Sequence, residues 1–169
     1  MRTSELLIII PAYNESGNIE KTIKMIEDHT PEFDYVIIND CSTDHTLEIC
    51  KKNHFNVIDL PINLGIGGAV QTGYQYAVQE GYQYAVQVDG DGQHNPEFIK
   101  NMLRVLQERK VNMVIGSRFI ENQGFQSSFL RRIGITFFEK LIKLLTGQEV
   151  TDPTSGLRVV DRKVIEEFA

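Results

Sequence analysis

The segment Val86-Gln-Val-Asp-Gly-Asp-Gly-Gln-His94 carries the clearest chemistry in the chain. Asp89 and Asp91 stand two apart with a glycine between them, so their carboxylates can share one face of an extended turn. Hard divalent cations take oxygen ligands, and a nucleotide diphosphate can complete the shell. Gly90 and Gly92 let backbone come close to a bulky ligand. A solvated Asp-Gly turn is the plain alternative. The apolar run before the motif, and Gln93 and His94 after it, favour the metal reading.

Three other stretches concentrate polar chemistry. In Pro11-Ala-Tyr-Asn-Glu15, Tyr13 can stack on a base and Glu15 can bond a ribose or base, although a Glu in the first turn of a helix also suits the helix dipole. In Ile38-Asn-Asp-Cys-Ser-Thr-Asp44, Asp40 can accept an N–H from a nucleobase, while Ser42, Thr43 and Asp44 read as caps of the next helix. Asn63-Leu-Gly-Ile-Gly-Gly68 looks like a dinucleotide fingerprint. It follows the third strand rather than the first and has no well-placed acid beyond it, so close helix-to-sheet packing explains it equally well.

Those segments need elements to hold them. Apolar runs predict strands at Leu6–Ile10, Tyr35–Ile38, Phe55–Leu60, Tyr82–Val88 and Met113–Ile115. Between them lie predicted helices over Ile19–Glu27, from a Ser42 or Thr43 cap to about Lys52, over Gly67–Gln79 closed by Gly81, and from Pro96 to Glu108. Further helices are expected over Phe129–Leu145 and Asp161–Phe168. Alternating strands and helices imply an α/β sandwich with a mainly parallel sheet, whose ligands sit outside the carboxyl ends of the strands. The heptamer GYQYAVQ occurs at Gly73–Gln79 and again at Gly81–Gln87. The first copy continues the helical spacing Ala69, Gly73, Ala77. The second follows a helix-stopping glycine and alternates, so it reads as strand.

The 169 residues fit one domain, and 41% hydrophobic residues support a core. A net charge of -6 argues against nucleic acid as a partner. Two cysteines, Cys41 and Cys50, make neither a disulfide framework nor a zinc spacing, which suits a reducing cytoplasm. No apolar run approaches the ~20 residues of a membrane span.

PAYNE, NDCSTD, NLGIGGA, VDGDGQH, GSRF and DPTSGLR, in this order and spacing, resemble the family 2 glycosyltransferases of GT-A fold. The likeness is to the branch of dolichol-phosphate mannose synthases and bacterial polyprenyl-phosphate sugar transferases. It runs from Leu6 to Arg162. The resemblance implies a Rossmann-like three-layer α/β sandwich that binds a UDP- or GDP-linked sugar. Pro11, Tyr13 and Glu15 would line the nucleotide pocket, Asp40 would meet the base, and Asp89 and Gly90 would lie at the ribose and diphosphate. Asp91 and Gln93, with Asp89 beside them, would hold Mg2+ or Mn2+. Arg118 would meet acceptor or diphosphate, and Arg131 or Arg132 an acceptor phosphate. Asn39 stands where the family usually has an acid. The family pattern also runs on past DPTSG, so residues 1–169 read as a single catalytic domain truncated at its C terminus.

The implied reaction is inverting transfer to an acceptor, with a polyprenyl phosphate first in line. A hydroxyl acceptor on a polysaccharide would need a general base, for which Asp152 is the candidate. A phosphate is already anionic and needs only positive charge. On the 129–145 segment, Arg132, Glu139, Lys140 and Lys143 fall on one side, and Leu130, Ile133, Phe137, Leu141, Leu144 and Leu145 on the other. Such a helix either lies on an anionic membrane, making the protein peripheral on the cytoplasmic face, or packs on the sheet. A non-catalytic nucleotide-sugar sensor, a sugar nucleotidylyltransferase and a dinucleotide oxidoreductase are competing readings.

Overall fold

The computed structural model describes residues 4–90, 96–116 and 156–169. The expected metal ligands Asp91 and Gln93, the basic residues Arg118, Arg131 and Arg132, the candidate base Asp152 and the 129–145 helix lie outside the described residues.

Six strands form one sheet: β1 Leu6–Ala12, β2 Asp34–Asn39, β3 Val57–Asp59, β4 Tyr84–Gln87, β5 Met113–Ile115 and β6 Arg158–Asp161, in the order β3-β2-β1-β4-β6-β5. Among the described residues five helices accompany them: α1 Ile19–His29, α2 Thr46–Lys52, α3 Gly65–Glu80, α4 Glu97–Arg109 and α5 Arg162–Phe168. All seven residues of β1 are buried, as expected of a strand covered on both faces. Leu6, Ile8, Ile10 and Ala12 join the core beneath α1, α2 and α4, where Ile23, Cys50 and Leu103 are buried. Leu7 and Ile9 join the opposite core with Ala69, Tyr74 and Ala77 of α3 and Ile165 of α5. The result is the expected three-layer sandwich.

The two heptamers take different structures, as the flanking glycines suggest. Gly81 ends α3 in the left-handed region at φ 76°, where only glycine is free of strain. Gly73, at the same place in the first copy, lies inside α3. A Cβ there would come within 2.3 Å of Ile9 Cγ2. Tyr74 stacks on Phe168, whereas its counterpart Tyr82 donates to Asp34 Oδ2 at 2.8 Å.

The sequence reading missed β6. This strand pairs antiparallel with both β4 and β5 and lies between them, so the mainly parallel sheet ends in two antiparallel pairings. Its four residues run into α5 without a loop. Asp161 is both the last strand residue and the N-cap of α5, accepting from Val164 N, so the boundary lacks the usual turn residues. The next residue, Arg162, donates to the carbonyls of Ala77, Val78 and Tyr82. A cation thus meets the carbonyls at the end of α3, which also accept the Gly81 and Tyr82 amides, where the helix dipole is negative.

Gly73→Ala tests how tightly α3 lies on β1. In an open helix the change would stabilise by about 1 kcal/mol. Here the added methyl enters Ile9, and overpacking should cost about 1–3 kcal/mol net, read as a lower urea midpoint at unchanged slope. A midpoint that rises would refute the close approach.

Candidate functional site

The carboxyl ends of β1, β2 and β4 lie side by side, because β1 pairs parallel with both neighbours. The Asp40 amide donates to Ala12 O, and the Val88 amide to Ile9 O. Each bond extends the ladder to the point where a functional loop departs.

The loops after β1 and β2 are tied together by their own side chains. Asn14, at φ 58°, gives its amide to Ser42 Oγ and takes the amide and hydroxyl of Thr43 on its Oδ1. Glu15 N donates to Thr46 Oγ1, and Ser16 N to Asp44 Oδ2. Helix α2 begins at Thr46 with His45 as the N-cap, and no side chain caps it there. Ser42 and Thr43 therefore do not cap α2 as expected; they serve the neighbouring loop. Asp44 accepts from the amide and hydroxyl of Thr46, so it serves both loops. Its partial burial alone would raise its pKa, but the bonds from Thr46 and Ser16 outweigh that and hold the carboxyl well below the usual range.

Tyr13 is 48% exposed, leaving a ring face open to a base. Glu15 is engaged locally: Oε2 accepts from Asn18 Nδ2, and its carbonyl takes the first amides of α1. Asp40 is only 3% exposed. Its Oδ1 accepts from Leu64 N at 2.7 Å, and its carbonyl from Asn63 Nδ2, so it anchors the glycine-rich start of α3. Its other carboxylate oxygen carries no bond from the described residues. Asn39 is turned inward and donates to Asp59 Oδ1 at 2.7 Å, with its own Oδ1 buried and unpartnered.

Asp89 follows β4. Its Oδ1 accepts from Gln87 Nε2 at 3.1 Å. The Gly90 carbonyl is held by Thr22 Oγ1 of α1 at 3.0 Å. A Cβ on Gly90 would lie 3.2 Å from Pro11 O, and one on Gly156 would lie 2.5 Å from Asp89 Oδ2. Glycine at both positions lets three chain segments converge on one carboxylate. Pro11, Tyr13, Glu15, Asp40, Asp89 and Gly90 thus share one edge of the sheet. Sequence reasoning assigned no role to Gln87, Gly156 or Arg158, although the motif DPTSGLR contains the last two. Oxygen donors at Asp89 suit a hard cation. Among the described residues no group of three His, Cys, Asp or Glu residues is placed to hold a metal ion.

A model of the family described as "Glycosyl transferase family 2" matches residues 7–168. An uncharacterised protein of Methanocaldococcus jannaschii is 32% identical over 91% of this chain and 63% of its own. The undecaprenyl-phosphate mannosyltransferase of Micrococcus luteus is 29% identical over 95% of this chain and 71% of its own. The chain therefore spans about two thirds of the length of these curated relatives. Among solved structures, glucosyl-3-phosphoglycerate synthase from Mycobacterium tuberculosis, in complex with Mn2+, UDP and glucosyl-3-phosphoglycerate, superposes with a TM-score of 0.71. It is 20% identical, covering 94% of this chain and 57% of that one, a likeness of fold.

Asp44→Asn should loosen the tie between the two loops and cost about 1 kcal/mol at neutral pH. A depressed folded pKa contributes stability above the ordinary aspartate value, and that contribution is lost as pH falls through the folded value. In urea titrations the gap between wild type and variant should hold from pH 7 to about pH 5 and narrow below about pH 4. A gap independent of pH would show that the carboxylate charge is not what holds the loops.

Proposed function

The chain belongs to glycosyl transferase family 2, and from that premise we propose that it catalyses inverting sugar transfer from a nucleoside-diphosphate donor to a polyprenyl phosphate. The observation that carries the reading is the placement of Asp89 at the carboxyl end of central strand β4. It lies between Gly156 on one side and, on the other, the loops bearing Tyr13 and Asp40. The lipid-phosphate acceptor rests on the name of the Micrococcus luteus relative.

In this reading Tyr13 stacks on the base and the second carboxylate oxygen of Asp40 takes a base N–H. Pro11 and Glu15 complete the nucleotide wall, and Gly90 leaves room for the diphosphate. Asp89, with Asp91 and Gln93, would hold Mg2+ or Mn2+, their oxygen donors suiting either ion. When bound, such an ion would supply positive charge against the departing diphosphate. An acceptor phosphate oxygen attacks the anomeric carbon from the face opposite the leaving group. The new C–O bond forms as the bond to the diphosphate breaks, the electron pair leaves with the β-phosphate oxygen, and configuration inverts. Arg118 and Arg131 or Arg132 balance the acceptor's charge. No proton has to be removed, so Asp152 need not act as a base. No described helix is long and apolar enough to cross a membrane. The reaction is assigned to the cytoplasmic membrane surface, with the protein peripheral there, because that is where a lipid phosphate presents its headgroup.

The test is incubation of the protein with labelled UDP- and GDP-sugars, Mn2+ and undecaprenyl or dolichyl phosphate, followed by extraction of lipid-linked sugar. Product should form with one donor. Asp89→Asn should lower turnover by about 100-fold or more without moving the melting temperature by more than a few degrees. Full turnover by this variant would remove Asp89 from the mechanism.

A further inference from the structure

Asn39 ends β2 sealed from solvent, at 1% exposure, with half of its amide unused. Its Nδ2 donates to Asp59 Oδ1 at 2.7 Å, while its buried Oδ1 has no partner. A buried acceptor without a donor costs stability. Turning the amide over brings no relief, because it sets the carbonyl oxygen against the Asp59 carboxylate. The arrangement therefore satisfies Asp59 and leaves the acceptor bare. Local rules of this kind are broken where function demands it. We propose that Asn39 is a positioning residue for base recognition: its amide, by bridging to Asp59, holds the loop that carries Leu64 against the Asp40 carboxylate. The inference rests on the nucleotide-sugar reading and adds to it two residues that act from behind the ligand.

Asn39 acts through the backbone. Ile37 belongs to the core beneath α1, α2 and α4, and side chains two apart on a strand share a face, so Asn39 points into that layer. Asp40 meets the start of α3, in the opposite layer. A closed circuit of bonds joins the two. Asn39 and Asp59 are register partners on β2 and β3, and the Leu60 amide donates to the Asn39 carbonyl. From Leu60 the chain passes through Pro61 and Ile62 and returns to β2. There Asn63 Nδ2 donates to the Asp40 carbonyl and Leu64 N to Asp40 Oδ1. Ile62 is 61% exposed and Leu64 48%, so polar bonds at the two ends of this loop fix it more than burial does. The Asn39–Asp59 bridge is one of those ends. Two ionised carboxylates at these positions would repel, and neither could donate. The end of β3 would then part from β2 and draw Leu64 N away from Asp40.

The test is calorimetric binding of UDP and GDP to the full chain with Mn2+, at about pH 8 and about pH 5.5. Wild type is compared with Asn39→Asp and with the exchanged pair, Asn39→Asp together with Asp59→Asn. In Asn39→Asp, burial and the neighbouring charge raise one of two coupled carboxyl pKa values. At the higher pH both groups are ionised, and affinity for the nucleotide that wild type prefers should fall about tenfold. At the lower pH the pair shares a proton, a donor reappears, and the loss should shrink to within about threefold. The exchanged pair donates its amide from residue 59 instead and should bind within about threefold of wild type at the higher pH. The other titratable groups of the adjoining loops, Tyr13, Glu15, Asp40, Cys41, Asp44 and His45, are common to every variant, so the ratio to wild type at each pH isolates the pair.

The Leu64 amide proton, followed by NMR without nucleotide, reads the circuit directly. It should move upfield in Asn39→Asp at the higher pH and return in acid and in the exchanged pair. Undiminished binding by Asn39→Asp at the higher pH, or a loss that neither acid nor the exchange relieves, would overturn the proposal. Should Asn39→Asp fail to fold at the higher pH, a weak exchanged pair overturns it instead. If wild type binds neither nucleotide, the functional reading fails and takes this one with it. Wild-type binding with an unmoved Leu64 resonance sinks the positioning role alone.

Discussion

Hydrogen bonding on both edges of β1 is the constraint from which the site follows. The strand is matched to β2 from Leu7–Asp34 to Ala12–Asn39 and to β4 from Leu6–Tyr84 to Ile9–Gln87. A slip of one residue would turn its buried isoleucines from one helical layer to the other, so the register is stringent. With all three strands running the same way, Asp40 and Asp89 emerge from the two strands that flank β1. The distance between them is set by backbone pairing rather than by anything the side chains do.

Around that framework, polar side chains act as struts. Asn14, Ser42, Thr43, Asp44 and Thr46 spend their hydrogen bonds on each other's backbones. That leaves Tyr13 presented outward and Asp40 held inward against the start of α3. Such preorganisation lets a site meet its ligand without first paying to order its loops.

Much of this architecture was legible in the sequence, for physical reasons that differ from element to element. Strand β1 declares itself by an unbroken apolar run, and α1 and α4 by apolar spacing. The identical heptamers could be told apart only by what surrounds them: the spacing back to Ala69 in one case and the helix-ending Gly81 in the other. Strand β6 was hidden because it is four residues long and shares Asp161 with the helix that follows. Ser42 and Thr43 misled because the chemistry that caps a helix serves equally well to bond a neighbouring loop, and only the tertiary fold decides which. Gly156 was visible as part of a motif, but its purpose, room for the Asp89 carboxylate, exists only once β6 is placed beside β4. The roles of Asp91, Gln93, Arg118, Arg131, Arg132 and Asp152 rest on the sequence and on family resemblance alone.

The interleaving of β6 between β4 and β5 has a consequence for how the protein is made. As the chain leaves the ribosome, β2, β3 and β4 can each find a parallel partner among strands already synthesised, while the outer edge of β4 awaits β6. Strand β5 appears earlier than β6 but does not cover it, because among the described strands β5 is bonded to β6 and not to β4. Until residues 158–161 arrive, β4 lacks the partner that it has on this edge in the folded chain, and an edge left unpaired can recruit other chains. Arg162, the residue immediately after, then seizes the carbonyls that end α3. Translation of one short stretch therefore both covers the edge of β4 and docks the opposite layer.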